Sequence, residues 1–309
     1  MARRMVATPA LVKEYINLFV NRRAYTLQSI RPHPESGRHY YYRPKEHGSG
    51  AALLLTEKTV SDHLEGKITI GLYAINPLNQ RCKWVAIDAD YPSAMDDLIK
   101  LQYQLTQDRV ESALEMSKRG GHLWIFLAVP LLARKCRIYI YDLAQKLGVP
   151  VKGSGLAEGI EVFPRHDEIQ EGAFGNAMRG PLGIHRGAKR RFWFYGADYT
   201  LEAQIEFLTR LGRLTEERLN LFTAGKELPP SIARVKSESE HISGHETHAS
   251  GQGFRILDYV CPRPGSWAAI MWRGVLRAPS RDVTVGGTTW RFLFLIHGSI
   301  SVGRAVRKR

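Results

Sequence analysis

Cysteine is scarce in this chain. Cys82, Cys136 and Cys261 stand at no paired spacing. That excludes a disulfide framework and a zinc ribbon, and it points to a reducing, cytoplasmic home. No run of about 18 apolar residues occurs, and Met1-Ala2-Arg3-Arg4-Met5 is basic without the apolar core of a signal peptide. A soluble protein with no membrane partner is expected. Acid is also in short supply: 30 Asp and Glu against 44 Lys and Arg leave a formal charge of +14. The excess favours a polyanionic partner, with nucleic acid the first candidate. An apolar share of 44% over 309 residues excludes a disordered chain. It leaves room for one large domain or two ordinary ones.

What is present is organised around Trp84-Val85-Ala86-Ile87-Asp88-Ala89-Asp90. In a strand, alternate residues share a face, so Asp88 and Asp90 would point the same way, roughly 7 Å apart. Two carboxylates at the end of an apolar strand repel each other unless a cation lies between them. Magnesium or manganese suits such hard oxygen ligands. A solvated strand end before the turn at Tyr91-Pro92 is the alternative, since Asp-x-Asp alone is a weak signal.

Two further stretches carry chemistry. Ser117-Lys118-Arg119-Gly120-Gly121-His122 joins predicted strands at 112–116 and 123–127. Its glycines expose backbone N–H groups and its cations add charge, a combination that can cradle a triphosphate. A plain hairpin turn with solvated charges explains Gly120-Gly121 equally well. The second is Gly159 to Arg165, a strand pattern with Glu161 between Ile160 and Val162. An unpaired carboxylate there is costly to bury and needs a cation. An edge strand with Glu161 in water is the other reading.

Around these, helical spacing predicts helices over 9–19, 93–109, 131–147, 201–211 and 215–222, with another opening at Thr56 and closed by Gly66. Strands are expected at 69–73, 83–90 and 192–195. His39-Tyr40-Tyr41-Tyr42-Arg43 mixes basic and aromatic side chains, which can hold phosphates and stack bases; an ordinary strand of alternating burial is as consistent with it. Asn176 to His185, with Arg179, His185, Arg186 and Lys189, forms a second basic, glycine-punctuated stretch suited to phosphates. Residues 223–253 read as a polar linker, and the Gly and Ser around His241, His245 and His248 favour coil over a metal site. Residues 254–309 form a basic tail with no assignable domain.

In this order, Asp-x-Asp, a basic glycine turn ending in His, and a lone acid on a later strand resemble the catalytic set of the archaeo-eukaryotic primase superfamily. The likeness is greatest to primase-polymerase domains of TOTE conflict systems and CRISPR-associated primase-polymerases, and it covers about residues 23–199. It implies an α/β (α+β) catalytic core with a sheet like that of an RNA-recognition motif. That core would lie at about 53–200 within a catalytic domain of residues 1–222. It further implies that Asp88, Asp90 and Glu161 are catalytic and hold two Mg2+ or Mn2+ ions. Lys118, Arg119, Gly120, Gly121, His122, Arg179, His185 and Lys189 would bind the nucleotide. The implied activity is primase-polymerase: nucleotidyl transfer from NTP or dNTP along a single-stranded DNA or RNA template. Helicase, nuclease or CRISPR-associated proteins are the implied partners. Relatives often carry a cysteine-rich zinc module, but residues 31–51 hold no cysteine. Polymerisation is therefore implied more directly than de novo priming. The rival readings are a two-metal nuclease and a non-catalytic or replication-initiation module that binds nucleic acid.

Overall fold

A computed structural model describes residues 6–154 and 156–229, and the backbone of 283–285 and 288–290. The chain divides into two compact units, Met1–Gly244 and His245–Arg309. In the second, strands β11 (Val283–Val285) and β12 (Thr288–Trp290) pair antiparallel. His241, His245, His248, Cys261 and most of the expected linker and tail lie outside the described residues.

The first unit begins with helix α1 (Pro9–Phe19), where Thr8 accepts from the Leu11 N–H and Pro9 opens the first turn. Strands β1 (Tyr25–Gln28) and β2 (Tyr41–Tyr42) follow. Helix α2 (Glu57–Leu64) starts with a reciprocal cap between Thr56 and Thr59. Strand β3 (Ile70–Tyr73) then completes three quarters of a four-stranded antiparallel sheet ordered β2-β1-β3-β8, closed by β8 (Ala177–Arg179).

The second sheet holds the catalytic candidates. Its chain order is β4 (Arg81–Ala89), α3 (Ala94–Gln107), β5 (Ala113–Met116), β6 (Gly121–Leu132), α4 (Ala133–Leu147) and β7 (Glu161–Phe163). Its spatial order is β5-β6-β4-β7, antiparallel throughout. This βαββαβ arrangement is the ferredoxin-like pattern that an RNA-recognition motif also uses. The mixed α/β core implied by the sequence is thus present.

Strand β4 is buried on both sides, which is why it reads as a nearly continuous apolar run. Val85, Ile87 and Ala89 pack with Leu98, Leu101 and Leu105 of α3 and Ile140 of α4. Trp84 and Ala86 join Trp124, Phe126 and Phe163 in a second core that includes Phe19 of α1 and Ile70 and Leu72 of the other sheet. Trp84 and Trp124 meet at 4.9 Å between ring centres, and the Trp84 indole N–H donates to the Phe19 carbonyl at 2.8 Å. Asp88 lies on the same face as Trp84 and Ala86, at the strand's end.

The remaining elements are β9 (Ile184–His185), β10 (Arg190–Arg191), α5 (Leu201–Arg210) and α6 (Glu216–Thr223). Several expectations need correction. Strand β4 ends at Ala89, so Asp90 lies just beyond it. Residues 192–195 form no strand; Phe192 and Phe194 are core side chains in an irregular segment, and the Gln204 amide caps the Phe194 backbone. Spacing along the chain also concealed that Cys82 and Cys136, both buried and free, stand with Sγ atoms 3.7 Å apart. A strand and a helix distant in sequence bring them together.

Histidine 63 of α2 is completely buried. Its Nδ1 accepts from the Ile70 N–H at 3.3 Å, so Nε2 carries the proton and donates to the Pro181 carbonyl at 3.0 Å. Burial lowers its pKa to about 4, and Arg179 and Arg191 push in the same direction. The ring stays neutral in the fold yet protonates near its ordinary value of 6.5 in the unfolded chain. Stability is therefore full above pH 6.5 and declines as pH falls toward 4, by about 3 kcal/mol over that range. Denaturant unfolding at a series of pH values should show this decline in the wild type and a flatter profile in His63→Gln.

Candidate active site

Register across the second sheet lines up four polar residues. Glu115 on β5 pairs with His122 on β6, His122 with Asp88 on β4, and Asp88 with Glu161 on β7. Directly opposed residues in antiparallel strands project to the same side. A single rung thus carries Glu115, His122, Asp88 and Glu161 at the end of the tryptophan-lined core.

Each member is held differently. The imidazole Nδ1 of His122 donates to Glu115 Oε2 at 2.7 Å, since an ionised carboxylate can only accept. Its Nε2 is thereby directed at Asp88 Oδ1, 3.4 Å away. Burial raises the Asp88 carboxyl to a pKa of about 6; His122 and Arg179 oppose the rise, while Asp90 and Glu161 add to it. Asp88 remains partly open to solvent, with 32% of its side chain exposed. Asp90, in the first position after the strand, is exposed and paired with the Arg119 guanidinium, whose Nε donates at 2.9 Å. Glu161 is paired with Lys152 and, at 3.2 Å, with Arg165.

The three acids fit a divalent cation in donor chemistry: hard carboxylate oxygens, and at Asp88 a half-buried charge with acids as neighbours. Asp90 and Glu161 are turned to their cations, however. Among the described residues, no group of three or more His, Cys, Asp or Glu side chains forms a ready cage. Releasing them costs little, because Arg119, Lys152 and Arg165 are each more than a third exposed, and such ion pairs contribute only about 0–1 kcal/mol.

The glycine turn is a hairpin between β5 and β6, closed by the Ser117 N–H donating to the Gly120 carbonyl at 2.9 Å. A Cβ on Gly120 would lie 2.0 Å from the Ala89 carbonyl oxygen, and one on Gly121 would lie 2.9 Å from the Glu115 carbonyl oxygen. Both glycines are therefore required by close packing against the neighbouring chain. Lys118 and Arg119 are exposed on this turn. His185 accepts from the Ala188 N–H at 2.9 Å and packs edge-on against Phe192. Lys189 is exposed at the tip of the β9–β10 hairpin. Neither belongs to the rung.

Arg179 departs most from a free phosphate ligand. Its Nη2 donates to Glu115 Oε1 at 2.6 Å, and its side chain is only 8% exposed. It joins β8 of the first sheet to β5 of the second. Glu115 was missed by sequence reasoning, although its signal matched that of Glu161: a carboxylate inside an apolar strand, Ala113-Leu114-Glu115-Met116. It also accepts from the Trp124 indole N–H at 3.2 Å. Burial alone would raise its pKa, but Arg179 and His122 outweigh burial and lower it to about 2.

The family model of the TOTE conflict system archaeo-eukaryotic primase domain matches residues 34–222. The chain belongs to this family. Among solved structures, the polymerase domain of Mycobacterium tuberculosis ligase D in complex with DNA is similar at 12% identity and a TM-score of 0.32. That alignment covers 74% of this chain and 95% of the other. No curated protein matches the sequence. Among the described residues, no helix is long and apolar enough to cross a membrane.

Within this primase domain, removing one partner of a buried ion pair leaves an uncompensated charge, at a cost of about 3–5 kcal/mol. Glu115→Gln should therefore lower the unfolding free energy by that order, measured by denaturant titration. Asp90→Asn, which breaks an exposed pair, should change it by less than about 1 kcal/mol.

Proposed function

We propose that this chain is a primase-polymerase. It would transfer a nucleotidyl group from NTP or dNTP to a nucleic-acid 3′-hydroxyl along a single-stranded template. The observation that carries the reading is the rung itself: the acids at 88 and 161, far apart in sequence, are directly opposed, with His122 beside them. Membership of the primase family supports the reaction class.

In this proposal Asp88, Asp90 and Glu161 hold Mg2+ or Mn2+. Bound there, the ions supply an activated 3′-hydroxyl and charge neutralisation on an in-line transition state. Asp88 would contribute the carboxylate of the rung itself, beside His122. Asp90 and Glu161 would hold the metal in place of their present cations. That exchange releases Arg119, Lys152 and Arg165 beside the site, where they can meet triphosphate or template charge. Lys118 on the same exposed turn orients the nucleotide, and positioning of this kind contributes heavily to such reactions. Glu115 locks the imidazole of His122, so Nε2 faces the reacting group from a fixed direction. Arg179 acts here through Glu115. His185 and Lys189 remain candidates for phosphate or template contact along the β9–β10 hairpin.

We assign residues 1–222 to the catalytic domain, 223–253 to a linker and 254–309 to a tail; the family match ends at residue 222. The conflict-system family favours a mobile-element, defence or CRISPR-associated setting in the cytoplasm, with helicase or nuclease partners. The net charge of +14 suits template phosphates, so affinity should fall steeply with salt.

The test is synthesis on a primed single-stranded template with manganese and labelled dNTP or NTP. Wild-type protein should extend the primer, and Asp88→Ala or Asp90→Ala should cut extension by at least about a hundredfold with template binding retained. Undiminished synthesis in the double variant would overturn the reading. Template shortening would indicate a nuclease, and binding without either reaction a non-catalytic module. His122→Ala should raise the nucleotide KM about tenfold, the effect of roughly 1.4 kcal/mol; an unchanged KM would remove His122 from the site.

A further inference from the structure

The β1–β2 hairpin is built as a rigid display of rings. Its loop is closed by three backbone bonds: the His33 N–H to the Arg38 carbonyl at 2.7 Å, the Gly37 N–H to the His33 carbonyl at 2.9 Å, and the Ser29 N–H to the Tyr40 carbonyl at 2.8 Å. Tyr40 is pinned again by its N–H to the Ser29 hydroxyl. The tyrosine triplet then alternates as a strand must. Tyr41 turns inward over Gly71, its Cδ1 3.4 Å from where a Cβ on that glycine would stand. Gly71 pairs with Arg179, so Tyr41 fixes the hairpin to the wall of the catalytic rung.

Tyr40, just before β2, and Tyr42 within it point the other way and are 47% and 42% exposed. Their ring centres are 6.1 Å apart with planes tilted by 51°, and His33 meets Tyr40 edge-on at the same separation. Strand β2 is the outer strand of its sheet. The surrounding stretch, residues 31–47, carries Arg31, Arg38, Arg43 and Lys45 against only Glu35 and Glu46.

We propose that Tyr40 and Tyr42, extended by His33, form a stacking platform for the unpaired bases of a single-stranded nucleic acid. Exposed rings with two apolar faces suit bases, and the flanking cations suit the phosphates between them. Duplex hides its base faces, so the platform selects single strands. The assignment rests on the polymerase reading only for the purpose of the bound strand, which there is the template.

Fluorescence anisotropy with labelled oligothymidylate and oligouridylate tests it, in the full-length wild type and in Asp88→Ala. Testing both separates strand capture from synthesis, because the inactive protein should bind as the wild type does. Tyr40→Ala/Tyr42→Ala should weaken binding about tenfold for each ring removed, in at least one of the two strands. Tyr40→Phe/Tyr42→Phe, which keeps the ring faces, should restore it, and an unshifted thermal transition shows that the variants are folded. Unchanged affinity of the alanine pair for both strands would overturn the proposal, as would an equal loss on a labelled duplex.

Discussion

Glu115 has no contact with water and gives its two carboxylate oxygens to three different partners. One oxygen accepts from Arg179 and the other from His122 and Trp124. Taking a carboxylate out of water is costly, and an ion pair offsets that cost only when the remaining lone pairs are also satisfied. Here they are. The consequence is architectural: Arg179 comes from the first sheet and Glu115 from the second, so the charge pair joins the two. The same carboxylate sets the direction of the His122 ring, and that ring stands beside Asp88. Fold and candidate chemistry meet at one buried anion.

A contrast in burial runs along the rung. Glu115 is sealed and bonded at both oxygens, and its acidity is strengthened by Arg179 and His122 against the effect of burial. Asp88, two strands away, is weakened as an acid by burial and by its acidic neighbours, and the His122 Nε2 at 3.4 Å only partly offsets them. Two carboxylates on one sheet face are thus driven to opposite extremes by their surroundings. Glu115 is a structural anchor, while Asp88 stays partly open to solvent at the strand's end. Asp90 and Glu161 are instead paired with cations that are each more than a third exposed.

Much of the fold was legible along the chain. Pro9 to Phe19 is a helix with the expected bounds, and Thr56 opens α2 because hydroxyl caps and apolar spacing act over a few residues. The strand carrying Asp88 stood out because burial on both faces demands a continuous apolar run. Less visible was anything that depends on partners. The glycines at 120 and 121 suggested a phosphate cradle, but their Cβ-less backbone is needed where the turn packs against Ala89 and Glu115. Arg179 looked like a free phosphate ligand until its carboxylate partner, 64 residues away, was in view. Phe192 to Tyr195 alternates like a strand but makes only an isolated antiparallel bridge to β5, Phe194 opposite Glu115, while Phe192 and Phe194 pack into the core.

The sequence by itself determined the local elements, the excess of positive charge, and the three motifs whose order marks a primase domain. These follow from short-range periodicity and residue chemistry, which need no knowledge of distant contacts. Only the tertiary structure decided which face each acid shares, that Glu115 belongs to the group, and that Arg179 is internal. Those facts depend on strand register and on long-range pairing of charges, and neither is encoded in the spacing of residues along the chain.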